Sequence, residues 1–520
     1  MINYAPKKLI KQIILMLILN AIYSGCGVGI LSFINKYLLT LSEKNLNILA
    51  LFFVLLILFL ALSVISRAAL CKLENDFVFD IRTKIIKQII DTKHQKIEQT
   101  SEANLLASLS GDISRLTDGF MRISELVQGL MIVIFVGAYV FYISWEMFLF
   151  LFVWLGILMI LNQILMKKMM NNFEIYRANE DILYKNYKSS ISGHKELYIN
   201  AQKAKSLYED DFLPNAINLR KNSLKAQIYQ ALAGNFMSVM MLGAVGVVLY
   251  FGLSNNNLSN AVTIAITILF LRAPLMMLVF SFPSILKAKI AYEKIKALNL
   301  DPFQNGFEIP KIPLWEKLEL KNISFWYENN KFGIKNINLQ INKGEIVFLI
   351  GANGSGKSTL FMILAGLYEA SDGEILIDNK PVSKDALRSY SQNISAIFSD
   401  FYLFERVLGD KKNTNILLEK MGLDKKVSVE NNKFSTTNLS TGQRKRLAMV
   451  ACLLEERKFI MLDEWAADQD PVFRKEFYEQ ILGELKSAGY TIFAISHDDK
   501  YFEYADKIYK MQNGEIEKIK

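Results

Sequence analysis

The sequence predicts two structural classes in one chain: an α-helical membrane domain followed by an α/β domain. The first half holds six long apolar stretches, whereas beyond residue 316 short β-branched or aromatic runs alternate with amphipathic segments. Prolines and a glycine interrupt both patterns between the halves: Pro302, Gly306, Pro310 and Pro313. We therefore expect a membrane domain at 1–286, a linker at 287–315 and an α/β domain at 316–520.

Composition and charge fit a membrane protein better than a nucleic-acid-binding protein. The 520 residues carry a net charge of +9, and much of the excess lysine flanks hydrophobic runs. We expect no nucleic-acid partner. The three cysteines, Cys26, Cys71 and Cys452, include no pair at metal-ligand spacing, so the sequence suggests neither a disulfide framework nor a zinc site.

Each apolar stretch reaches the ~20 residues needed to cross a bilayer core. The stretches lie at roughly 9–39, 47–70, 123–143, 146–166, 228–253 and 259–286. Lys7 and Lys8 precede the first, which lacks a small-residue cleavage site, so we interpret it as a retained helix and not a signal peptide.

Basic residues predict how these helices are oriented. Segments 71–122 and 167–227 are rich in lysine, whereas the short connections at 40–46, 144–145 and 254–258 hold only Lys44. The positive-inside rule then places both termini, both long segments and the α/β domain in the cytoplasm.

The long segments continue the membrane helices. Ile81, Ile85 and Ile89 recur at helical spacing, as do apolar residues from Leu105 to Leu116. Turns near 95–103 and 199–205 would form tips that dock on the α/β domain, although solvated charged bends are the alternative.

Polar residues within the apolar stretches give the sequence's only indication of a cargo. They are Asn20, Arg67, Asn162, Gln163, Asn235 and Arg272. Arg272 lies midway along the sixth stretch, where a charge is costly and usually faces the bundle interior. It could contact an acidic or polar cargo; an interhelical hydrogen bond or a snorkelling side chain is the alternative.

A glycine-rich loop follows an apolar strand at 346–350 and precedes a helix predicted at 359–367. The loop fits the pattern in which backbone N–H groups wrap phosphates, a lysine reaches the outer phosphates and a hydroxyl holds magnesium. Its predicted binding residues are Gly351, Asn353, Gly354, Ser355, Gly356, Lys357, Ser358 and Thr359. We therefore expect ATP and Mg²⁺ as ligands.

Two further apolar strands deliver polar side chains. The strand at 459–464 ends in Asp463, suited to orient the magnesium shell, and Glu464, suited to polarise an attacking water. The strand at 491–497 ends in His497, placed to contact the γ-phosphate together with Lys357. His94 and His194 have no partner motif.

One of three adjacent aromatic residues could stack on adenine. Phe325, Trp326 and Tyr327 precede the phosphate loop within a strand-like segment. Because neighbours on a strand point to opposite faces, at least one of them belongs to the core.

With these motifs in order, the whole chain resembles an ATP-binding cassette (ABC) exporter half-transporter of the type IV class, with six spans fused to one cassette. The resemblance assigns Tyr327 to adenine stacking, Gly351 to Thr359 to the Walker A loop, Asp463 and Glu464 to Walker B, Asp470 to the D-loop and His497 to the switch histidine. It also assigns the signature: Ser440, Thr441, Gly442 and Gln443. In that family the signature of one subunit caps ATP held by the other, which implies a dimer, most simply a homodimer, although a heterodimer remains open.

Several positions depart from the usual exporter pattern. The Q-loop glutamine, a magnesium contact, aligns with Ser399, and Asp400 or Gln392 could replace it. Thr441 stands where glycine is usual, and Trp465 begins an unusual run after the acid pair. These departures resemble bacterial exporters of cyclic peptides, lipopeptides and peptide siderophores.

We therefore expect ATP-driven export of a peptide-like or other amphipathic cargo across a bacterial cytoplasmic (inner) membrane, in contact with lipid. A lipid or glycolipid flippase on the same scaffold is one alternative. A membrane sensor or regulatory ATPase is another, but the hydrolytic set of Asp463, Glu464 and His497 argues against it. A peptidase-containing bacteriocin exporter is not expected, because the first span begins by about residue 9.

Overall fold

The computed structural model describes residues 7–40, 43, 45–100, 105–106, 108–254, 258–303, 306–310, 312–313, 315–327, 332–408 and 411–520. The chain forms two compact units. The first comprises Met1–Gln88 and Glu102–Leu300, and the second comprises Ile89–Ser101 and Asp301–Lys520. A short segment of the N-terminal half therefore belongs to the second unit.

Long helices account for most of the N-terminal half. They are α1 (Lys7–Phe33), α2 (Leu46–Asp91), α3 (His94–Gln99), α4 (Ile113–Ile143), α5 (Trp145–Ser192), α6 (His194–Ile199), α7 (Ala201–Ser206), α8 (Leu213–Ser254) and α9 (Leu258–Ala297). Six helical segments in the described part of the chain are long and apolar enough to cross a membrane. At 1.5 Å per residue, the 46 residues of α2 exceed one bilayer crossing, as the continued helical spacing predicts. Lys44 lies outside the described residues.

Two glycines let α4 approach α9 closely. A Cβ added at Gly119 would lie 2.1 Å from the Cβ of Ala288, and one at Gly129 would lie 3.0 Å from the carbonyl oxygen of Pro274. Small residues at such crossings allow the backbones to pack tightly, which drives helix association in a bilayer.

The last long helix extends beyond the predicted start of the linker. Helix α9 continues to Ala297, because no glycine or proline interrupts residues 287–297. Pro274 and Pro283 lie within the helix without ending it. The domain limits at 286 and 316 stay a prediction.

The second unit contains two main sheets. Its strands are β1 (Lys317–Trp326), β2 (Gly333–Asn342), β3 (Ile346–Gly351), β4 (Asp372–Ile377), β5 (Lys380–Pro381), β6 (Ile394–Ile397), β7 (Val429–Glu430), β8 (Lys433–Phe434), β9 (Phe459–Asp463), β10 (Thr491–Ile495), β11 (Lys507–Gln512) and β12 (Glu515–Lys518). A six-stranded sheet has the order β12-β11-β3-β10-β9-β6, and an antiparallel sheet has the order β2-β1-β4-β5.

Helices complete the α/β unit. They are α10 (Lys357–Leu364), α11 (Leu387–Ser391), α12 (Lys411–Lys420), α13 (Thr441–Leu454), α14 (Pro471–Glu476) and α15 (Leu482–Ser487). Strands β3, β6, β9 and β10 run parallel and are almost wholly buried, which matches their continuous apolar sequence. Their carboxyl ends therefore meet at one edge, where α/β sheets bind ligands.

The segment Ile89–Ser101 packs on the α/β unit through polar contacts. Arg388 pairs with Asp91 at 3.2 Å, and Tyr368 donates a hydrogen bond to Glu98 in α3. Two further contacts are Lys96–Asp301 at 2.5 Å and Lys93–Glu369 at 3.1 Å. The docking predicted for the first helical tip is thus confirmed for residues up to 100, while residues 101–104 lie outside the described part of the chain.

Candidate active site

The phosphate loop connects β3 to α10 through backbone conformations that require glycine. Gly354 and Gly356 have φ angles of +77° and +107°. A Cβ at Gly356 would lie 2.6 Å from Cγ2 of Ile334, and one at Gly351 would lie 2.3 Å from the carbonyl oxygen of Met511. The following helix begins at Lys357, two residues before the predicted start, because the turn closes at Gly356.

The interior of this loop fits an anionic ligand. The Oγ atom of Ser355 is buried and has no hydrogen-bond partner among the described residues. The Nζ atom of Lys357 donates to the carbonyl oxygens of Gly351 at 2.8 Å and Ala352 at 3.0 Å. Burial lowers the pKa of this lysine, and the nearby carboxylates of Glu464 and Asp463 oppose that shift. An unpaired hydroxyl and a desolvated ammonium in one loop are groups that a phosphate would satisfy.

The other loop residues differ in exposure. Asn353 and Ser358 are exposed and Thr359 is buried. The hydroxyl of Tyr327 lies 3.1 Å from Oγ1 of Thr359, and the residue is 40% exposed. Phe325 is the buried core aromatic of the predicted group of three. Tyr327 therefore lies next to the phosphate loop and is partly exposed.

Asp463 ends β9 inside the site, with its side chain almost fully buried. Burial raises the pKa of Asp463, and hydrogen bonds from the side chain and backbone of Ser399 work against that rise. Asp400 is exposed, and the Gln392 amide donates to the carbonyl oxygen of Arg388 at 3.4 Å. Of the three candidates for the Q-loop position, Ser399 is the one in contact with Asp463.

Glu464 follows the strand and does not extend it. Its backbone is left-handed, with φ of +48°, and its N–H donates to the carbonyl oxygen of Ile495 at 3.2 Å. Its Oε1 atom lies 3.1 Å from Nε2 of His497, which follows β10. Non-glycine residues in this conformation are uncommon and cluster at functional sites. The structure thus brings together the two residues predicted to act on the water and the γ-phosphate.

The signature residues occupy the start of α13. Ser440 is the N-cap of α13 and is exposed, as is Thr441, whereas Gly442 and Gln443 are half-buried. A Cβ at Gly442 would lie 2.7 Å from the carbonyl oxygen of Asp468, so this position requires glycine. The Gln469 amide donates to the carbonyl oxygen of Gly442 at 3.2 Å. The signature is therefore tied to the segment that follows Glu464.

Asp470 has a local structural contact as well as its predicted D-loop place. Its carboxylate caps α14 by accepting from the Phe473 N–H at 3.0 Å, and it also pairs with Arg446. Hydrogen bonding to Phe473 lowers the pKa of Asp470.

In the membrane unit, the predicted polar residues fall into two groups. Asn20 and Asn162 are buried, and the Ser66 hydroxyl donates to the Asn20 side chain at 2.7 Å. Exposed side chains form the second group: Arg67, Gln163, Asn235 and Arg272. Arg272 stays a candidate cargo contact.

Three residues whose contacts involve the site or the docked segment were not predicted from the sequence: Lys445, Tyr368 and Gln469. Lys445 lies in an Arg-Lys-Arg run that reads as a solvated face, yet it is buried. Two spacings in the sequence could have indicated this contact. Lys445 lies two residues after the signature, and Asp468 lies four residues after Glu464.

Comparison with known proteins identifies both units. Residues 9–279 match the family described as the ABC transporter transmembrane region, and residues 334–467 match the ABC transporter family. The ATP-binding protein SyrD of Pseudomonas syringae pv. syringae is 30% identical over 84% of this chain and 81% of its own length. The nisin transport ATP-binding protein NisT of Lactococcus lactis subsp. lactis is 33% identical over 38% of this chain and 36% of its own length.

A solved structure has the same fold. The structure of a bacterial Atm1-family ABC exporter with ATP bound aligns with a TM-score of 0.74 at 15% identity, covering 98% of this chain and 94% of that one. The helical unit thus has the type IV exporter fold, and the second unit is an α/β ABC ATPase. The half-transporter architecture of the whole chain fits dimer formation. With matches across both units, the chain belongs to the ABC transporter family: it is a membrane-spanning exporter that binds ATP and couples ATP hydrolysis to transport.

Proposed function

We propose that this chain, as a homodimer, exports a peptide-like cargo by binding and hydrolysing Mg²⁺–ATP at a site centred on Lys357, Asp463 and Glu464. The observation that supports the proposal best is the Glu464–His497 pair at the carboxyl edge of the sheet, beside the phosphate loop. A protein that only sensed nucleotide would not need a carboxylate and an imidazole at that place.

Each residue of the site would contribute a separate step. Glu464 accepts a proton from the attacking water, and His497 holds the carboxylate and contacts the γ-phosphate. Lys357 turns from the carbonyl oxygens of Gly351 and Ala352 to the outer phosphates. Tyr327, which is partly exposed, stacks on the adenine.

Three oxygen-bearing side chains would hold the magnesium ion: Ser358, Asp463 and Ser399. Hydroxyl and carboxylate oxygens are the ligands that magnesium prefers. When held by these side chains, the ion would supply positive charge that offsets the charge of the phosphates. Ser399 and Asp463 already contact one another, so Ser399 takes the Q-loop position in this proposal.

The homodimer follows from the signature. Ser440, Thr441, Gly442 and Gln443 lie at the start of α13, and the first two are exposed. An N-terminus of this kind attracts phosphate. In the proposed dimer it caps the ATP of the partner subunit, while Asp470 lies at the junction.

The cargo class rests on three residues that depart from the common exporter pattern: Ser399, Thr441 and Trp465. They resemble exporters of cyclic peptides, lipopeptides and peptide siderophores, and a relative named for nisin transport is consistent with this class. Arg272 is the proposed contact for an acidic or polar group of the cargo. The alternative cargo on this scaffold is a lipid or glycolipid.

The proposed location is a bacterial cytoplasmic membrane, with both termini and the cassette in the cytoplasm. The lysine-rich segments 71–122 and 167–227 support this orientation. Lipid would cover the exposed apolar side chains of the long helices, such as Phe53, Ile57 and Leu60.

Inverted vesicles containing the full-length protein provide the test. We expect Glu464→Gln to bind ATP normally but to lose turnover by at least about 100-fold, because it removes a general base. Wild-type vesicles should accumulate a labelled cyclic peptide or lipopeptide with ATP, and Glu464→Gln vesicles should not. Glu476→Gln, on the exposed side of α14, is the matched control and should behave as wild type.

Each result separates the candidate functions. Turnover at the wild-type rate in Glu464→Gln would refute the assigned catalytic base. ATP-driven movement of fluorescent lipid without peptide uptake would replace the peptide proposal by the flippase, and hydrolysis with neither would favour the sensor.

A further inference from the structure

Lys445 is a buried lysine on the signature helix α13. Its side chain is 5% exposed, and it lies two residues after Gln443. A buried ammonium is unfavourable unless it is paired and hydrogen-bonded. Its partners therefore indicate what the side chain does.

Both partners belong to the segment that carries Glu464. The Nζ atom of Lys445 donates to the backbone carbonyl oxygen of Glu464 at 2.7 Å and pairs with the Asp468 carboxylate at 2.7 Å. In return, Nε1 of Trp465 donates to the backbone carbonyl oxygen of Lys445 at 2.8 Å. We call these four residues, Lys445, Glu464, Trp465 and Asp468, the lysine clamp.

The clamp fixes a backbone that has an uncommon conformation. The Glu464 φ angle is +48°, its N–H is bound by β10 through Ile495, and its carbonyl oxygen is bound by Lys445. The next residue is anchored too: Trp465 is buried, and the centroid of its ring lies 4.4 Å from that of the Phe477 ring. The backbone N–H and carbonyl oxygen of Glu464 are thus both hydrogen-bonded. Its carboxylate lies beside His497.

We propose that Lys445 is a positioning residue for hydrolysis: it holds the Glu464 backbone so that the carboxylate faces the water, and it links that orientation to the position of the signature helix. This inference rests on the proposed role of Glu464 as the base. In the proposed dimer, α13 contacts the ATP of the partner subunit. Through Lys445, occupancy of the partner's site adjusts the carboxylate that acts on this subunit's own ATP.

The link has a direct physical basis. Lys445 and Gly442 lie three residues apart on one helix, so they stand on the same face. A Cβ added at Gly442 would lie 2.7 Å from the carbonyl oxygen of Asp468, so the backbones run close together there, and Lys445 holds the side chain of Asp468 and the backbone of Glu464. A shift of α13 therefore moves all of these contacts together.

Lys445→Met is the principal test, since it keeps the length and apolar stem but removes the charge and donors. In the full-length protein in membranes we expect kcat for ATP to fall about 10-fold or more with KM changed less than about twofold, because a small misplacement of a catalytic group costs rate and not binding. Lys475→Met is the matched control, because Lys475 is an exposed lysine that also pairs with a carboxylate. It should match wild type.

A double-mutant cycle distinguishes positioning from general stability. Asp468 is 47% exposed, so Asp468→Asn should fold even if Lys445→Met does not. We expect Asp468→Asn to lower kcat about threefold, and the double variant to fall no further than Lys445→Met, since the two act through one contact. In a Glu464→Gln background, Lys445→Met should leave the affinity for fluorescent ATP unchanged.

The outcomes separate this inference from the proposed function. A Lys445→Met protein with wild-type kcat, beside an inactive Glu464→Gln protein, would overturn the clamp and leave the catalytic base intact. Loss of ATP binding together with turnover would also overturn it, by showing a structural role. Full turnover in Glu464→Gln would remove the base and the clamp proposal with it.

Discussion

At the scale of single residues, Ser399 shows how a shorter side chain can serve where a longer one is usual. Its hydroxyl and N–H both hydrogen bond Asp463, which is buried at the end of β9. The serine therefore supports the carboxylate, and it can reach magnesium directly or through a water. Asp400 and Gln392 point to other groups or to solvent.

We predict that Ser399→Ala raises the magnesium concentration required for half-maximal ATP hydrolysis by about three- to tenfold, because the net contribution of a typical hydrogen bond is ~0.5–1.5 kcal/mol. Asp400→Asn and Gln392→Ala are the controls and should leave that concentration unchanged. Hydrolysis titrated with Mg²⁺ at saturating ATP measures it. A shift in either control equal to that of Ser399→Ala would reassign the Q-loop position.

Residue patterns predicted the groups of the site well where the chemistry is local. Two sets of residues are contiguous in the sequence and could therefore be predicted directly: the loop from Gly351 to Thr359 and the acids after the run 459–462. They lie close together in the structure because the strands that precede them are parallel. The burial of Lys445 could not be read in this way, because its partners come from a segment nineteen or more positions along the chain. A lysine between two arginines otherwise signals a solvated face.

At the scale of elements, helix α3 and its flanking residues are held on the cassette by charges. The Asp91 side chain is 1% exposed and accepts from both terminal nitrogens of Arg388 at 3.2 Å. Burial alone would raise the pKa of Asp301, but hydrogen bonds from the side chain of Lys96 and the N–H of Lys93 lower it overall. The contact is therefore strongest when these carboxylates are ionised.

We predict that Asp91→Asn weakens transport more than it weakens ATP binding. The change removes the negative charge that pairs with Arg388, and the Asp91 side chain is 1% exposed, so the segment should loosen from the cassette. Hydrogen exchange of residues 92–100 should rise, and ATP-driven uptake into inverted vesicles should fall about tenfold while the nucleotide affinity stays within about twofold.

Lys384→Met is the control for that experiment. Lys384 pairs with Glu369 at 2.6 Å but is 71% exposed, and exposed pairs contribute little. Unchanged exchange and transport in Asp91→Asn would show that the segment does not depend on this pair.

The positions of helices along the chain were easier to predict from the sequence than the elements against which they pack. The apolar stretches located the six helical segments that, in the described part of the chain, are long and apolar enough to cross a membrane, and the long segments continued them as their spacing indicated. The sequence predicted that a tip near 95–103 docks on the cassette, but it did not show that the whole segment Ile89–Ser101 belongs with the cassette. Long-range packing decides this, and no periodicity within the segment reports it.

At the scale of the whole molecule, one cassette per chain makes each ATP site incomplete in a single copy. We predict that the detergent-solubilised protein has twice the 59.4 kDa mass of one chain, measured with the detergent contribution removed. Co-expression of wild-type and Glu464→Gln chains should lower hydrolysis below the fraction of wild-type chains present, because we expect the two sites of a dimer to act together, so that one inactive base stops both.

Purified wild-type and Glu464→Gln proteins mixed after assembly serve as the comparison and should show activity proportional to the wild-type fraction. A monomeric mass would contradict the homodimer, and proportional activity after co-expression as well would contradict the joint action of its two sites.

The interleaving of the two units also sets an order for biosynthesis. Asp91 leaves the ribosome 297 residues before Arg388, its partner on the cassette. At translation rates of roughly 5–20 residues per second, that interval lasts about 15–60 s. Throughout this interval the surface on which α3 rests is incomplete. The segment Ile89–Ser101 therefore can reach its native place only after Arg388 has been synthesised, so a quality-control system that tests the segment would report on a chain that extends at least to Arg388.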